Sequence, residues 1–195
     1  MVEMIRSVAP SKLPVSVAQA KAQARYTLDD QDSVFERLVG AVTGQLDGRD
    51  GWLGRAIMTQ TWQLHLDSFP CRQIKLPFPP LQSVSSISYV DTDGAPQTYS
   101  SSLYEVVTAA EPGLVQPIYG GSWPATRVQK NAVTITYVAG YADAASVPPQ
   151  LQSYILAMVE HYWRNRGAVV VGTIVNELPF VQASINSLRV PVPWR

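Results

Sequence analysis

The sequence predicts an α+β protein in which a helical core carries an inserted, antiparallel β-rich subdomain. Three observations support this fold class. Residues 1–54 contain two segments with helical periodicity, residues 55–148 alternate apolar and polar side chains in short runs that end at Gly or Pro, and residues 149–195 begin with a third helical stripe. We therefore divide the chain into a first helical part, a β-rich insertion, and a C-terminal helix with an extended tail that completes the helical core.

The first part is predicted to hold two helices. One begins after Ser16, because Ser16 and Gln19 form a capping-box pattern and an alanine-rich run follows. The other begins in the acidic cluster at 29–32, where negative charge suits a helix N-terminus and Ser33 with Glu36 offers a second box. The apolar stripe of this second helix consists of Phe35, Leu38, Val39, Val42 and Leu46.

Three glycines, Gly40, Gly44 and Gly48, follow one another at intervals of four residues in the second helical segment. Glycine costs about 1 kcal/mol relative to alanine in an exposed helix interior, so their presence needs a reason. In one interpretation the helix frays here and Gly48 is its cap. In the other, the three form a groove for a neighbouring helix and are candidates for packing between subunits. The sequence leaves both open.

The second part is predicted to be a small antiparallel sheet or sandwich. Trp62, Leu64 and Leu66 alternate with polar residues, which indicates a strand with one buried face. Prolines at 77, 79 and 80 make a stiff elbow at 76–81 between two strands, because proline cannot donate to a ladder. We expect this elbow to fix how the insertion projects from the helical core. Further strands are expected to Val90, around 103–107 and at 133–138, with a tight turn at 91–94.

The third part is predicted to contain one long helix and an extended tail. The prolines at 148 and 149 end the β region, and Glu160 with Arg164 forms an i, i+4 ion pair on the outer side of the helix. The tail at 190–195 is either a docking segment or a disordered terminus. The buried stripe of the helix is expected to be Leu151, Ile155, Met158, Val159 and Tyr162.

Composition narrows the classes of function. Charged residues are only 15% of the chain, which suggests a surface partly covered by other subunits. Fifteen Lys plus Arg balance fifteen Asp plus Glu, which excludes the broad basic field of a protein held mainly by nucleic-acid phosphates. Passage of DNA past a local patch stays open on these counts. No apolar segment approaches bilayer-spanning length, so we expect no membrane partner and a cytosolic protein.

Candidate chemistry is weak throughout. The residues at 91–94 resemble the start of a calcium loop, but Ser102 stands where a closing acid is needed, and a hairpin turn explains the same residues. A hydrolase could be built from Cys71, His65 and Asp67, yet the chain turns between them. The sequence therefore predicts a protein that is not an enzyme and has no metal or cofactor.

The order of six segments carries more information than any single motif. They are Pro14 to Lys21, Asp29 with Asp30, Gly54 to Trp62, Leu76 to Val90, Tyr137 to Tyr141, and Val147 to Pro149 with the helix that follows. In this order and spacing the chain resembles the head-tail connector, or head-completion adaptor, proteins of tailed double-stranded DNA phages and prophages. The resemblance covers roughly residues 13 to 181.

This resemblance implies a non-enzymatic subunit of the virion neck, present in the host cytoplasm during assembly. Its partners would be further copies in a dodecameric ring, the portal protein, and a neck, stopper or tail-completion protein. The subunit would extend the DNA channel and offer a platform for the neck or tail. By the same resemblance, the candidate portal contacts are Leu188, Arg189, Trp194 and Arg195.

Two other classes of function remain as alternatives. Aromatic residues around Trp123 suggest a ligand- or carbohydrate-binding β module on a helical scaffold. The third class is the hydrolase built on Cys71 and His65.

Overall fold

A computed structural model describes residues 3–165 and 185–190 of the chain. The described residues form an α+β fold with three α-helices and two antiparallel sheets, which confirms the predicted fold class. The helices are α1 (Val17–Ala24), α2 (Asp32–Leu46) and α3 (Pro149–Arg164).

The three helices pack against one another as a layer. Ser16 caps α1, and both bonds of the predicted box with Gln19 are present. The box predicted for α2 is wrong, because Ser33 already lies inside the first turn and Gln31 occupies the N-cap without a side-chain bond. The stripes of α2 and α3 are buried as predicted, except that three members are only half-buried: Leu38, Met158 and Tyr162.

Polar contacts join these helices at their exposed edges. The Lys21 ammonium of α1 lies 2.7 Å from an Asp32 carboxylate oxygen of α2, and Gln23 donates to Glu160 of α3 at 2.7 Å. The predicted pair between Glu160 and Arg164 is present at 2.7 Å. Asp32, from the acidic cluster at the start of α2, therefore forms an ion pair within the helical layer.

The β part contains two sheets whose inner faces share one core. A five-stranded sheet has the order β1-β2-β8-β4-β5, and a three-stranded sheet has the order β3-β7-β6. Alternate residues of β2 and β8, such as Leu64 and its partner Ile135, point into the space between the sheets. The strands are β1 (Glu3–Val8), β2 (Gln60–Leu66), β3 (Ile74–Leu76), β4 (Leu81–Val90), β5 (Pro96–Thr98), β6 (Tyr104–Val107), β7 (Gly113–Pro117) and β8 (Val133–Ala139).

Strand β1 was not predicted. It pairs antiparallel with β2, with Met4 opposite Leu64, and forms an edge of the larger sheet. Residues within the first part of the chain, described above as helical, thus also supply one strand to the β part.

The proline elbow connects β3 to β4, as predicted, and it is buried. Phe78 has a positive φ of 59° and lies against the ring of Trp62 with the ring centroids 4.3 Å apart. The carbonyl of Pro77 accepts a hydrogen bond from the Tyr137 hydroxyl, and the carbonyl of Pro80 accepts one from the Gly140 amide. The elbow is therefore tied to β8 by bonds at both of its ends.

Buried side chains form two separate apolar clusters. One lies between the sheets and the other between the helices. Residues 53–60 run from one cluster to the other: Ala56 belongs to the β cluster, while Ile57 and Met58 belong to the helical one. This short segment is where the two parts of the molecule are joined.

Candidate interaction surfaces

An exposed face of α2 carries Gly40 and Gly44, and we call it the glycine face. A Cβ built at either residue would meet no atom within 4 Å, so nothing in the described part of the chain packs on them. Between Leu38 and Leu46 the helix has no charged residue, even on its solvent side. Such a helix surface is unusual for a face that remains in water.

A groove adjoins the glycine face between α2 and α3. It encloses about 540 Å³, and its apolar lining is Val34, Leu38 and Ala41 of α2 with Tyr162 and Trp163 of α3. Arg37 is the one charged residue among the described residues that line it. The groove and the glycine face together therefore offer a largely apolar surface with few charges on the helical layer.

Gly48 does not belong to that face. Helix α2 ends at Leu46, and Gly48 follows with a φ of +72°, the left-handed conformation typical of a helix cap. Its built Cβ would lie 3.0 Å from the ring of Trp62. The expectation that all three glycines lie on one helix is therefore wrong, and the Gly48 amide donates to the Arg55 carbonyl instead of bonding back to α2.

A buried carboxylate, Asp47, fixes the end of α2 to the β part. It accepts hydrogen bonds from the Ile57 amide at 2.7 Å and the Gln60 side chain at 2.8 Å, and it pairs with Arg6 of β1 at 3.0 Å. Burial raises the pKa of Asp47 above its ordinary value, although these donors oppose the shift. A cavity of about 410 Å³ lies beside this group, bordered by Gly44 among other residues.

The loop at 48–54 folds tightly back on the last turn of α2. The amides of Trp52 and Leu53 donate to the carbonyls of Gln45 and Leu46 at 2.9 and 3.2 Å. Gly51 contacts the backbone of Asp47 so closely that no side chain would fit there. The loop nevertheless leaves the large indole of Trp52 37% exposed.

The segment at 185–190 returns to this loop. Ile185 is buried in the helical cluster, and Leu188 packs on the same cluster. The amide of Val190 donates to the carbonyl of Leu53 at 2.9 Å. The guanidinium of Arg189 lies over the ring of Trp52, 5.1 Å from its centroid.

Arg55 holds this segment against the β part. Its side chain is largely buried, donates through Nε to the Leu188 carbonyl, and forms a two-bonded ion pair with Glu111 from the loop before β7. The same guanidinium lowers the pKa of Glu111. Arg55 thus connects residues that are far apart in the sequence.

The structure separates the four candidate portal contacts. Leu188 is half-buried on the chain's own helical cluster, whereas Arg189 is exposed and stacked on Trp52. Trp194 and Arg195 lie outside the described residues. Portal contact remains a prediction for all four. Sequence reasoning missed Trp52, although the glycines around it indicate a tight loop. It also missed the ion pair of Arg55 with Glu111, for which the sequence contains no signal.

The residues weighed for hydrolysis do not form a catalytic group. His65 Nδ1 lies 3.0 Å from the Thr134 hydroxyl, and Cys71 is exposed with no hydrogen bond to His65. The Asp91 carboxylate accepts from the amides of Asp93 and Ala95, which closes the predicted turn. The hydrogen bond from the Gln97 side chain, followed by those from the backbone amides, lowers the pKa of Asp91. Within 3–165 and 185–190, no three His, Cys, Asp or Glu side chains are grouped to hold a metal ion.

The aromatic residues proposed for carbohydrate binding are engaged within the β part. The Trp123 ring is stacked on Phe69 with centroids 4.7 Å apart, and its indole N–H donates to the Arg72 carbonyl at 2.6 Å. One face and the polar edge of this ring are therefore already used. In the portion of the chain that the structure covers, no helix has the length and apolar character to cross a membrane.

The fold and these surfaces define an α+β protein with a helical layer, a two-sheet β part and a charge-poor helical face. Solved structures with the same fold are found among the proteins of phage-like particles. The chain matches a chain from the neck of an empty gene transfer agent (GTA) particle computed with C6 symmetry, with a TM-score of 0.71 and 19% identity over 99% of this chain and 98% of that one.

Two further solved chains agree. One, from the virion of a native GTA particle, has a TM-score of 0.71 and 18% identity over 98% of both chains. The other, from the neck of a native GTA particle computed with C12 symmetry, has a TM-score of 0.68 and 19% identity over 100% of this chain and 98% of that chain. No protein-family model and no curated protein matches the chain. The likeness to neck proteins of phage-like particles, predicted from the sequence, is thus confirmed at the level of the fold.

Proposed function

We propose that this chain is a structural protein of the neck of a tailed-phage-like particle. It forms a ring, docks on the portal vertex, extends the DNA channel and carries the next neck or tail protein. The observation that supports this most directly is the end-to-end match of fold with chains from GTA necks. The proposal gives the chain no catalytic role and no cofactor, and it makes DNA a passing cargo.

Ring formation is supported by the glycine face. The neighbouring structures come from necks with C6 and C12 symmetry, and a subunit of such a ring needs a surface that a second copy covers. Gly40 and Gly44 weaken α2 without making room for any of the residues that the structure describes. A helix or loop of the adjacent copy, approaching closely over these glycines and the groove beside them, would use that room.

Portal docking is assigned to the C-terminal segment. Its anchor at 185–190 is fixed by Arg55 and Leu53, which sets the position of Val190 on the subunit. We further propose that residues 1–54 and 149–195 form the ring-forming core and that residues 55–148 form the projecting insertion. Strand β1 belongs to the first of these ranges but pairs with β2 of the insertion.

The test combines the purified chain with portal rings of the same particle. We expect it to sediment with the portal and to form rings there. Gly44→Trp should leave the chain folded, because Gly44 is exposed and a Cβ added there meets no described atom within 4 Å, but should block ring closure. Ala18→Trp, at an exposed position of α1, is the matched control and should assemble normally. If the wild-type chain does not associate with portal rings, and tails are intact on particles that lack it, the proposal fails.

A further inference from the structure

We propose that Arg49 guards the outer edge of strand β1 and prevents this strand from pairing with β1 of a second copy. The inference concerns the free subunit, and only its consequence for ring assembly rests on the proposed function. In the part of the chain that the structure describes, β1 pairs with β2 alone and is therefore an edge strand of the five-stranded sheet. The unpaired backbone groups of such a strand can bind a strand of another chain.

Met4 and Arg6 direct their backbone groups away from β2. On β2, the Thr61 carbonyl faces β1, because it accepts a hydrogen bond from the Ser7 hydroxyl at 3.2 Å. Bonded and non-bonded pairs alternate between antiparallel strands, so the odd-numbered residues of β2 are bonded to β1, whereas Met4 and Arg6 lie opposite even-numbered ones. The Met4 carbonyl agrees with this direction, since it accepts from Arg49 Nη1 at 3.3 Å.

Arg49 covers this outer edge with a charged side chain. Charged side chains at sheet edges are one means by which proteins prevent pairing with other chains. The guanidinium occupies the Met4 carbonyl, which an added strand would need as an acceptor. The cavity of about 410 Å³ lies beside β1 and is also bordered by Gly44 and Asp50, so there is space next to the edge. Without the Arg49 side chain, the outward backbone groups of β1 would face this space.

The occupant of an unguarded edge would be β1 of a second copy, because the strand is complementary to itself. Antiparallel pairing centred on Ile5 places Met4 of each copy opposite Arg6 of the other, which matches the outward backbone groups of both strands. The two Ile5 side chains then meet at the centre of the contact. Ile5 is 45% exposed in the single subunit, so the contact would bury apolar surface.

Such a dimer would compete with ring assembly. It has a twofold axis and closes on itself after two copies, whereas a ring is built by contacts between two different surfaces of each subunit. A subunit whose β1 edge is already paired would carry a second copy in an orientation that the ring does not use. The guard therefore favours the ring over a closed dimer.

Disulfide trapping tests this pairing in the full-length chain. Ile5→Cys in a Cys71→Ser background leaves one thiol, on the edge. Opposed residues of a non-hydrogen-bonded antiparallel pair lie about 4.5 Å apart at Cα, within disulfide reach. Adding Arg49→Ala should raise the yield of cross-linked dimer by about tenfold or more, because pairing then breaks no charged hydrogen bond to Met4. Arg72→Ala removes the same charge at another exposed position and should leave the yield unchanged.

A second measurement uses chains without the added cysteine. In sedimentation velocity, Arg49→Ala should form a dimer, and Ile5→Lys in that chain should abolish it, because two like charges would meet at the centre. Cross-linking that is equal with and without Arg49, or a dimer that Ile5→Lys leaves intact, would overturn the inference. Neither readout involves portal rings, so a failure of the proposed function would leave both results unchanged.

Discussion

Replacing Gly40 and Gly44 together by alanine should stabilise the isolated chain. Both residues lie inside α2, and the added methyl groups would meet no atom of the described residues within 4 Å, so no packing penalty from these residues opposes the gain. Each exposed helical glycine costs about 1 kcal/mol relative to alanine, so the pair should raise the free energy of unfolding by about 2 kcal/mol. For a chain of this size that corresponds to an increase of about 4–8 °C in the melting temperature.

Urea denaturation of the monomer, followed by tryptophan fluorescence, measures this change. Gly48→Ala is the matched control and should destabilise, because Gly48 has a φ of +72° and the new methyl group would press on the ring of Trp62. A double variant that is no more stable than the wild type would show that the glycine face is already occupied or strained in the monomer. The reasoning that reserves this face for a neighbouring copy would then be refuted.

Two further predictions concern the joint between the two parts. Burial raises the pKa of Asp47 in the folded state, so folding disfavours its ionised form. The stability of the wild type relative to Asp47→Asn should therefore be greatest below the unfolded pKa and should decline as the pH rises through the folded pKa. Urea denaturation of both proteins at a series of pH values from below the ordinary Asp pKa of 3.8 up to neutrality measures this difference. A relative stability that instead grows toward pH 7 would contradict the shift. Replacing Pro77, Pro79 and Pro80 together by alanine should speed amide hydrogen exchange in β3, β4 and β8 more than in α2 and α3, because the elbow is bonded to the strands. Equal acceleration in the helices would contradict a separable β insertion.

Features with a local signal could be predicted. The capping box at Ser16 and Gln19 needs only four consecutive residues, and the alternation in β2 needs only seven. The second box failed because the same pattern at Ser33 and Glu36 was outweighed by an earlier start of α2 at Asp32. Local patterns indicate that a helix exists more reliably than they indicate where it begins.

Features that depend on distant partners could not be predicted. Strand β1 has only one buried side chain, Met4, so its sequence shows little alternation and its pairing with β2 decides its structure. Strand β7 is short and bounded by Gly113 and Pro117, residues that otherwise indicate loops. The stacking contact between Arg189 and the ring of Trp52 joins residues far apart in the chain, and no sequence spacing indicates it.

The attachment of the C-terminal segment has a mechanical consequence. Two hydrogen bonds, from Arg55 to the Leu188 carbonyl and from Val190 to the Leu53 carbonyl, lie close together on residues 53–55, where the helical and β parts meet. A pulling force applied beyond residue 190 would be borne first by these two bonds, before it could reach α3 and peel it from the helical layer. Load would then pass through Asp47 and Glu111 into both parts at once. The segment is thus attached where a tensile load would be shared by the whole subunit.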